Sequence, residues 1–105
     1  MSFPTRGDVW WGEASDAKGR PYLVLTRDEA IPMLRTILVA PVTRTIRGIP
    51  TEVGLGSAEG LPTDCVAAMD AILTFPTAML TRRIGAIGAA RVRELCDAVR
   101  ASMDC

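Results

Sequence analysis

The fold class follows from the stretch at residues 34–43, which reads LRTILVAPVT. Its apolar run at residues 37–40 is nearly continuous, a pattern typical of a strand that is buried on both faces. Pro41 lies near the end of the run, where a strand can tolerate the missing N–H. We therefore predict a strand over residues 34–42 that leads into a polar loop with two arginines at residues 43–50.

Shorter strands are predicted on both sides of this run. Residues 9–11 and 22–26 precede it, and both are rich in aromatic and aliphatic residues between turn signals. Residues 51–55 follow it, and residues 65–75 are predicted as one strand or two strand segments, although the alanines there would also suit a helix. One more short strand or turn is predicted at residues 79–84.

The chain ends in its clearest element, a helix that begins near residue 92. The apolar residues that recur at the spacing of one helical face are Val92, Leu95, Cys96, Val99 and Met103. We expect this face to pack on the sheet or on a partner. Several short strands followed by one helix predict a mainly β (α+β) fold, a small β-barrel with a C-terminal α-helix, in a single domain over residues 1–105.

Composition excludes several classes of function. The chain has no histidine, which rules out a histidine general base and any His-ligated zinc. No tight acidic cluster of the calcium or two-metal type is present, so we predict no metal and no other cofactor. The three cysteines form no CxxC pair, which favours free thiols over a disulfide framework.

Hydropathy and charge indicate where the protein acts and what it can bind. No apolar run approaches the roughly 20 residues that a membrane helix needs, and the N-terminus lacks a signal core, so we predict a cytoplasmic protein without a membrane contact. The formal net charge is zero. However, Arg44, Arg47, Arg82 and Arg83 have no acidic neighbour in sequence, which indicates a local positive groove on a neutral protein.

Two strand ends place a polar side chain beside a loop, where function often lies. At residues 19–21, Gly-Arg-Pro leads from a polar loop into a strand, and at residues 40–43, Ala-Pro-Val-Thr leaves a strand for the basic loop. Taken alone, Arg20 could be an ordinary solvated loop residue and Thr43 an ordinary turn residue. Local pattern leaves both alternatives open.

The order of the motifs resembles the MazF/PemK toxin family. The segments that carry the resemblance are RGDVWW at 6–11, GRPYLVL at 19–25, LVAPVT at 38–43, GL at 60–61, MDAI at 69–72 and RIG at 83–85. They match the family's GDVWW start, its RP-containing strand and its Ala-Pro-aliphatic-Thr strand end, in the same order. The resemblance covers nearly the whole chain.

This resemblance implies an SH3-like β-barrel that forms a homodimer and cleaves single-stranded RNA at selected sequences without a metal. It also implies neutralisation by a small antitoxin that lies across the RNA groove. The catalytic positions fall on Arg20 and Thr43. Attack by the 2′-OH on phosphorus would give 2′,3′-cyclic phosphate and 5′-OH ends, with Arg20 stabilising the growing negative charge and Thr43 positioning an oxygen.

Other residues are predicted to contact the RNA. They are Trp11, Asp16, Lys18, Arg44 and Arg47. The two arginines adjoin Thr43, and Asp16 stands in for the acidic loop residue of the family. Because alternate strand residues face opposite ways, one of the two adjacent tryptophans is expected in the core. The other is expected in the core, at an interface or in the groove, where it could stack on a base.

Two alternative functions remain open at this point. A gyrase-poison toxin of the same fold relies on a C-terminal aromatic segment, whereas this chain ends in RASMDC at residues 100–105. A non-catalytic SH3-like barrel that binds RNA or protein would keep its binding function after Arg20→Ala. An enzyme would lose turnover.

Overall fold

The computed structural model describes residues 3–14 and 18–104. The strands are β1 Asp8–Gly12, β2 Arg20–Val24, β3 Thr36–Thr43, β4 Glu52–Leu55, β5 Cys65–Ala68, β6 Leu73–Pro76 and β7 Leu80–Ala86, and the helix is α1 Val92–Ser102. Short 3-10 turns connect several of them. This arrangement confirms the predicted mainly β class with a C-terminal helix.

The interval at residues 65–75 forms two strands and not a helix. A 3-10 turn at Met69–Ala71 separates β5 from β6. The alanines of β5 favour helix locally, but β5 pairs with β4 on one edge and with β3 on the other. Tertiary pairing therefore overrides the weak local preference.

All strand pairs in the described residues are antiparallel, and their order is β4-β5-β3-β2-β1-β7. Strand β3 is central because it pairs with β2 along one edge and changes partner along the other. Its first half pairs with β6, where Ile37 lies opposite Phe75, and its end pairs with β5, where Thr43 lies opposite Val66. This change of partner curls the sheet into a half-barrel.

The core consists of two clusters on opposite faces of the sheet. Leu23 and Leu25 contribute to one cluster, whereas Tyr22 and Val24 contribute to the other. Successive residues from Tyr22 to Leu25 therefore alternate between the two clusters, as the two-residue side-chain period requires. This end of β2 is thus buried on both faces. Of the two adjacent tryptophans, Trp10 packs against the second cluster.

The strand predicted over residues 34–42 spans Thr36–Thr43, and residues 34–36 are exposed. Within the apolar run at residues 37–40, which the sequence predicts to be buried on both faces, the prediction is wrong at one position. Ile37 and Val39 are 2% and 0% exposed, but Leu38 between them is 43% exposed. Leu38 points to the same side of β3 as Ala40 and Val42, which belong to the first core cluster. It lies at the margin of that cluster, so its apolar side chain is open to solvent in the single chain.

Part of the predicted helical face packs on the sheet, whereas Met103 at its end is 57% exposed. Leu95 and Ala98 are buried in the first core cluster, and Cys96 and Val99 pack against its edge. Cys96 and the buried Cys65 are free thiols, as expected, and Cys105 lies outside the described residues. In the described part of the chain, no helix combines the length and apolar character required to cross a membrane.

Candidate functional site

The pairing of β2 with β3 brings the two predicted catalytic residues together. Tyr22 lies opposite Pro41 in this antiparallel pair. Extending the same register by two residues places Arg20 level with Thr43. Both residues line one open groove of about 680 Å³, which we call the basic groove.

Three parts of the fold enclose the basic groove. Its lining includes the start of β2 and the end of β3, together with Trp11 on β1 and Arg82 and Ile84 on β7. The loop at residues 60–63, followed by Cys65, forms the loop wall, which packs against β7 at Ile84. The groove therefore lies where β1, β2, β3 and β7 meet a turn-rich connection.

The charged residues that line the basic groove are arginines. Arg20, Arg44 and Arg82 contribute to the lining, and among the described residues no aspartate or glutamate does. All three side chains are exposed, and none forms an ion pair within residues 3–14 and 18–104. The groove is a concentrated positive site on a chain whose formal net charge is zero.

A second groove of about 420 Å³ continues from the first. It shares Arg20, Thr43 and Thr45 with the basic groove, and Arg47 lies farther along it. Two carboxylates, from Glu52 and Asp70, also line this second groove, which we call the mixed groove. Arg20 and Thr43 thus lie at the junction of a positive groove and a groove with both signs of charge.

The carboxylates of the mixed groove hold its own walls together. Glu52 Oε1 accepts hydrogen bonds from the backbone N–H groups of Arg47 at 3.1 Å and Gly48 at 2.9 Å. Asp70 Oδ2 accepts a hydrogen bond of 2.6 Å from Thr51 Oγ1. These bonds fix the loop that follows Thr43, and with it the position of Arg47.

The loop wall of the basic groove packs closely on β7. Gly60 has a φ of +88°, and a Cβ there would lie 2.5 Å from the carbonyl oxygen of Ile84. Only glycine combines this backbone conformation with such a close approach. A Cβ on Gly85 would meet the carbonyl of Glu59 from the other side.

An ion-pair network ties the same loop to the start of α1. The buried Glu59 accepts a hydrogen bond of 2.6 Å from the Gly56 N–H and pairs with Arg91 at 3.3 Å. Arg91 also donates to the Gly54 carbonyl at 2.8 Å and to Glu94 at 2.7 Å. The hydrogen bond with Glu94 raises the pKa of Arg91 and lowers the pKa of Glu94.

The predicted site residues are distributed as follows. Arg20, Thr43, Arg44 and Trp11 line the basic groove, and Arg47 lines the mixed groove. Lys18 is exposed and contributes to neither lining. The prediction for Asp16 falls outside the described residues.

Polar groove residues that are not among the predicted site residues include Arg82, Thr45 and Thr63 in the basic groove and Thr51, Glu52 and Asp70 in the mixed groove. In the sequence, Arg82 stands out only as one of four arginines without an acidic neighbour. The pairing of β1 with β7 places it opposite Trp11 and thus in the groove. In the part of the chain that the structure describes, no cluster of three or more histidine, cysteine, aspartate or glutamate side chains is arranged to hold a metal ion.

Comparison with known proteins gives a consistent picture. The sequence model of a family described as PemK-like, MazF-like toxin of type II toxin-antitoxin system matches residues 5–103. The chain is 40% identical over 105 residues to the probable endoribonuclease MazF5 of Mycobacterium tuberculosis (strain ATCC 25618 / H37Rv), covering 99% of this chain and 96% of the relative.

Solved structures share the fold. The Mycobacterium tuberculosis toxin MazF-mt6 superposes with a TM-score of 0.85 at 34% identity, covering 92% of this chain and 96% of that chain. An endoribonuclease from a mycobacterial species, in complex with its cognate antitoxin, superposes with a TM-score of 0.82 at 24% identity, covering 95% of this chain and 94% of that chain. The half-barrel with its C-terminal helix is therefore shared with these proteins.

Proposed function

Because this chain belongs to the family of PemK-like, MazF-like toxins of type II toxin–antitoxin systems, we propose that it is a toxin that cleaves single-stranded RNA at selected sequences. The activity is that of an endoribonuclease, and no metal ion takes part. The observation that carries this proposal is the placement of Arg20 level with Thr43 in a groove whose charged lining is arginine alone. A groove of this kind attracts a phosphodiester.

Cleavage proceeds by transfer of the phosphoryl group within the RNA. The 2′-oxygen forms a bond to the adjacent phosphorus, the bond from phosphorus to the 5′-oxygen breaks, and the 5′-oxygen gains a proton while the 2′-OH loses one. The products are a 2′,3′-cyclic phosphate and a 5′-OH. Negative charge on the phosphoryl oxygens grows in the transition state and needs fixed donors.

Arg20 and Thr43 supply those donors. The guanidinium of Arg20 can donate two parallel hydrogen bonds to the phosphoryl oxygens. An arginine guanidinium keeps its protons in proteins, so Arg20 acts by stabilising charge and not by moving a proton. The hydroxyl of Thr43, across from it on β3, holds the 2′-OH or a phosphoryl oxygen in line.

The RNA strand runs through both grooves and is cut at their junction. Arg44 in the basic groove and Arg47 in the mixed groove contact phosphates on the two sides of the cut. Lys18 and Asp16 remain predicted RNA contacts. Lys18 is exposed and lines neither groove, and Asp16 lies outside the described residues. The carboxylates of the mixed groove accept hydrogen bonds and so suit contacts with base edges.

The protein acts as a homodimer. Near Leu38, the single chain exposes an apolar surface that is lined by Met33, Leu34 and Leu38. It continues to Val99 on α1 and to Met103, which follows the last residue of α1. Met33 is 81% exposed and Met103 is 57% exposed. We call this surface the apolar face, and a second copy of the chain covers it, because contiguous exposed apolar patches mark association sites.

An antitoxin neutralises the toxin in the cytoplasm by covering the basic groove. Covering the groove buries Arg20, Arg44 and Arg82, and buried cations must be paired with anions. The antitoxin segment that occupies the groove therefore carries carboxylates. The solved complex of a mycobacterial endoribonuclease with its cognate antitoxin supports an antitoxin as the partner.

The proposal is tested by incubating the purified protein with a long single-stranded RNA in EDTA and determining the chemical ends of the fragments. Arg20→Ala and Thr43→Ala are compared with Arg93→Ala, an exposed arginine of α1 that lines neither groove. We expect cuts at a recurring short motif with cyclic phosphate and 5′-OH ends. Loss of the Arg20 donor should lower the rate by roughly 100-fold or more, whereas Arg93→Ala should cleave normally.

Two outcomes would contradict the proposal. RNA left intact by folded protein that is free of antitoxin would favour a non-catalytic barrel that only binds RNA or protein. Cleavage at an unchanged rate by Arg20→Ala would remove the assigned role of the arginine.

A further inference from the structure

Two adjacent arginines on β7 have different surroundings. Neighbouring strand residues point to opposite faces, and Arg83 points toward the buried Asp8, whose Oδ1 lies 3.4 Å from Arg83 Nε. Arg82 points the other way and lines the basic groove. In the described ranges Arg82 forms no ion pair, so its charge remains available to an anionic ligand.

Trp11 lies directly opposite Arg82 in the pairing of β1 with β7. Residues opposite each other in an antiparallel pair project from the same face of the sheet. Both side chains indeed line the basic groove. An aromatic ring and an unpaired cation are thus held side by side along the groove that contains Arg20.

The indole of Trp11 is fixed in place. Its Nε1 donates a hydrogen bond of 2.9 Å to Glu13 Oε1. A Cβ on Gly19 would lie 2.5 Å from three indole atoms, Nε1, Cε2 and Cζ2, so the ring occupies the space that a side chain would need there. Because Gly19 precedes Arg20, the ring position is coupled to the backbone that presents Arg20.

We propose that Trp11 and Arg82 form a nucleotide-binding subsite for the RNA next to the point of cleavage, in which the indole stacks on a base and Arg82 binds a flanking phosphate. The inference rests on the proposed function and adds Arg82 to the site. Single-stranded RNA offers a ring face and a phosphate in each nucleotide, which matches this pair of groups. Stacking tolerates every base, so the subsite sets affinity and the position of the strand, not base identity.

The experiment uses the intrinsic fluorescence of Trp11. The chain contains two tryptophans, so Trp10→Phe leaves Trp11 as the only one. This protein is titrated with a mixed-sequence 20-nucleotide RNA that carries 2′-O-methyl groups throughout. Such an RNA has no free 2′-OH and therefore binds without being cut. Binding is followed in parallel by the anisotropy of a dye on the RNA.

Stacking should quench Trp11 fluorescence with the same midpoint as the anisotropy change. In the otherwise unmodified protein, Trp11→Phe and Trp11→Leu form a matched pair, since both fill space but only phenylalanine offers a π-face. The leucine variant should bind roughly 5- to 150-fold more weakly than the unmodified protein, and the phenylalanine variant should recover most of this loss. Arg82→Ala should reduce the slope of log K against log salt by about 0.7, and Arg93→Ala should leave both quantities unchanged.

The outcomes separate this subsite from the proposed function. RNA binding without quenching, or equal affinities for the phenylalanine and leucine variants, would overturn the stacking role of Trp11. A salt slope of Arg82→Ala equal to that of Arg93→Ala would overturn the phosphate contact. Either result could occur while the unmodified protein still cleaves a natural RNA, in which case the proposed function stands. If the unmodified protein neither binds nor cleaves RNA, both proposals fail.

Discussion

Adding one methyl group at each of three glycines tests how closely the loop wall of the basic groove approaches β7. Gly60 combines a φ of +88° with a Cβ position 2.5 Å from the Ile84 carbonyl oxygen. Gly48 has a φ of +70°, but a Cβ there meets nothing within 4 Å. Gly54 also has open space within 4 Å and no positive φ. Gly60→Ala therefore meets both a strained backbone and a close contact, Gly48→Ala meets only the strained backbone, and Gly54→Ala meets neither.

The expected losses of stability follow from these geometries. In Gly48→Ala, the left-handed backbone conformation lowers the free energy of unfolding by about 1–2 kcal/mol. The lower entropy of the unfolded alanine chain offsets about 0.4–1 kcal/mol of this loss. Gly60→Ala adds a collision with a carbonyl in the paired strand β7, and overpacking of this kind costs about 1–3 kcal/mol. We expect a total near 2–4 kcal/mol for Gly60→Ala and a change within about 0.5 kcal/mol for Gly54→Ala.

Urea unfolding followed by circular dichroism measures all three variants on one scale, provided that the m-values agree. The order of stability should be Gly54→Ala, then Gly48→Ala, then Gly60→Ala. In the cleavage assay, folded Gly60→Ala should also lose activity, because its loop must move away from β7 and widen the groove. If Gly60→Ala were as stable as Gly48→Ala, the close packing of loop and strand would be refuted.

Three further substitutions test other parts of the structure. Leu38→Glu places a charge within the apolar face, so the dimer should dissociate to a folded monomer in sedimentation equilibrium; a dimer that persists would contradict this face as the interface. In Arg83→Ala the buried Asp8 loses its ion pair but keeps the hydrogen bonds that the Thr5 N–H and Trp10 Nε1 donate to its Oδ2. Because the Arg83 side chain is 55% exposed, the free energy of unfolding should fall by less than about 1 kcal/mol, and equal urea midpoints would exclude a structural role for the pair. The hydrogen bond from Arg91 lowers the pKa of Glu94, so this pair stabilises the fold above the unfolded-state pKa of Glu94 and the effect is lost as pH falls through the lowered value. Glu94→Gln should therefore cost less than about 1 kcal/mol at neutral pH, given that its side chain is 50% exposed, and should match the parent below that pKa; a difference that persists in acid would rule out the ion pair as its cause.

Most of the fold could be predicted from local pattern because hydrophobic period and turn residues are local properties. The helix face through Leu95 and the strands around β3 are of this kind. The exposure of Leu38 could not be predicted in this way. An apolar side chain at the margin of a core has the same sequence pattern as one at its centre, and the difference depends on how far α1 extends over the sheet.

The candidate site was only partly predictable for a related reason. Arg20 and Thr43 stand in motifs that can be recognised in the sequence, and the register of β2 with β3 then brings them together. Arg82 stands in no such motif. The bulged pairing of β1 with β7 decides which of the two adjacent arginines, Arg82 or Arg83, faces the groove. No short stretch of sequence encodes this register.

The distribution of arginine explains how a chain without net charge can hold an anionic polymer. Arg83, Arg91 and Arg100 are paired with carboxylates, whereas the arginines of the two grooves have no ion pair within the described ranges. Neutrality of the whole chain therefore coexists with four arginines along the two grooves that have no ion pair in the described ranges. Arg6, Arg27, Arg35 and Arg93 also have none, but they do not line these grooves. If Arg20, Arg44, Arg47 and Arg82 each neutralise one phosphate, these four contacts contribute about −3 to the slope of log K against log salt. A strongly basic protein would bind any RNA more tightly, whereas a modest slope leaves a larger share of the affinity to stacking and base-edge contacts. Of these, the base-edge contacts are the ones that discriminate one sequence from another.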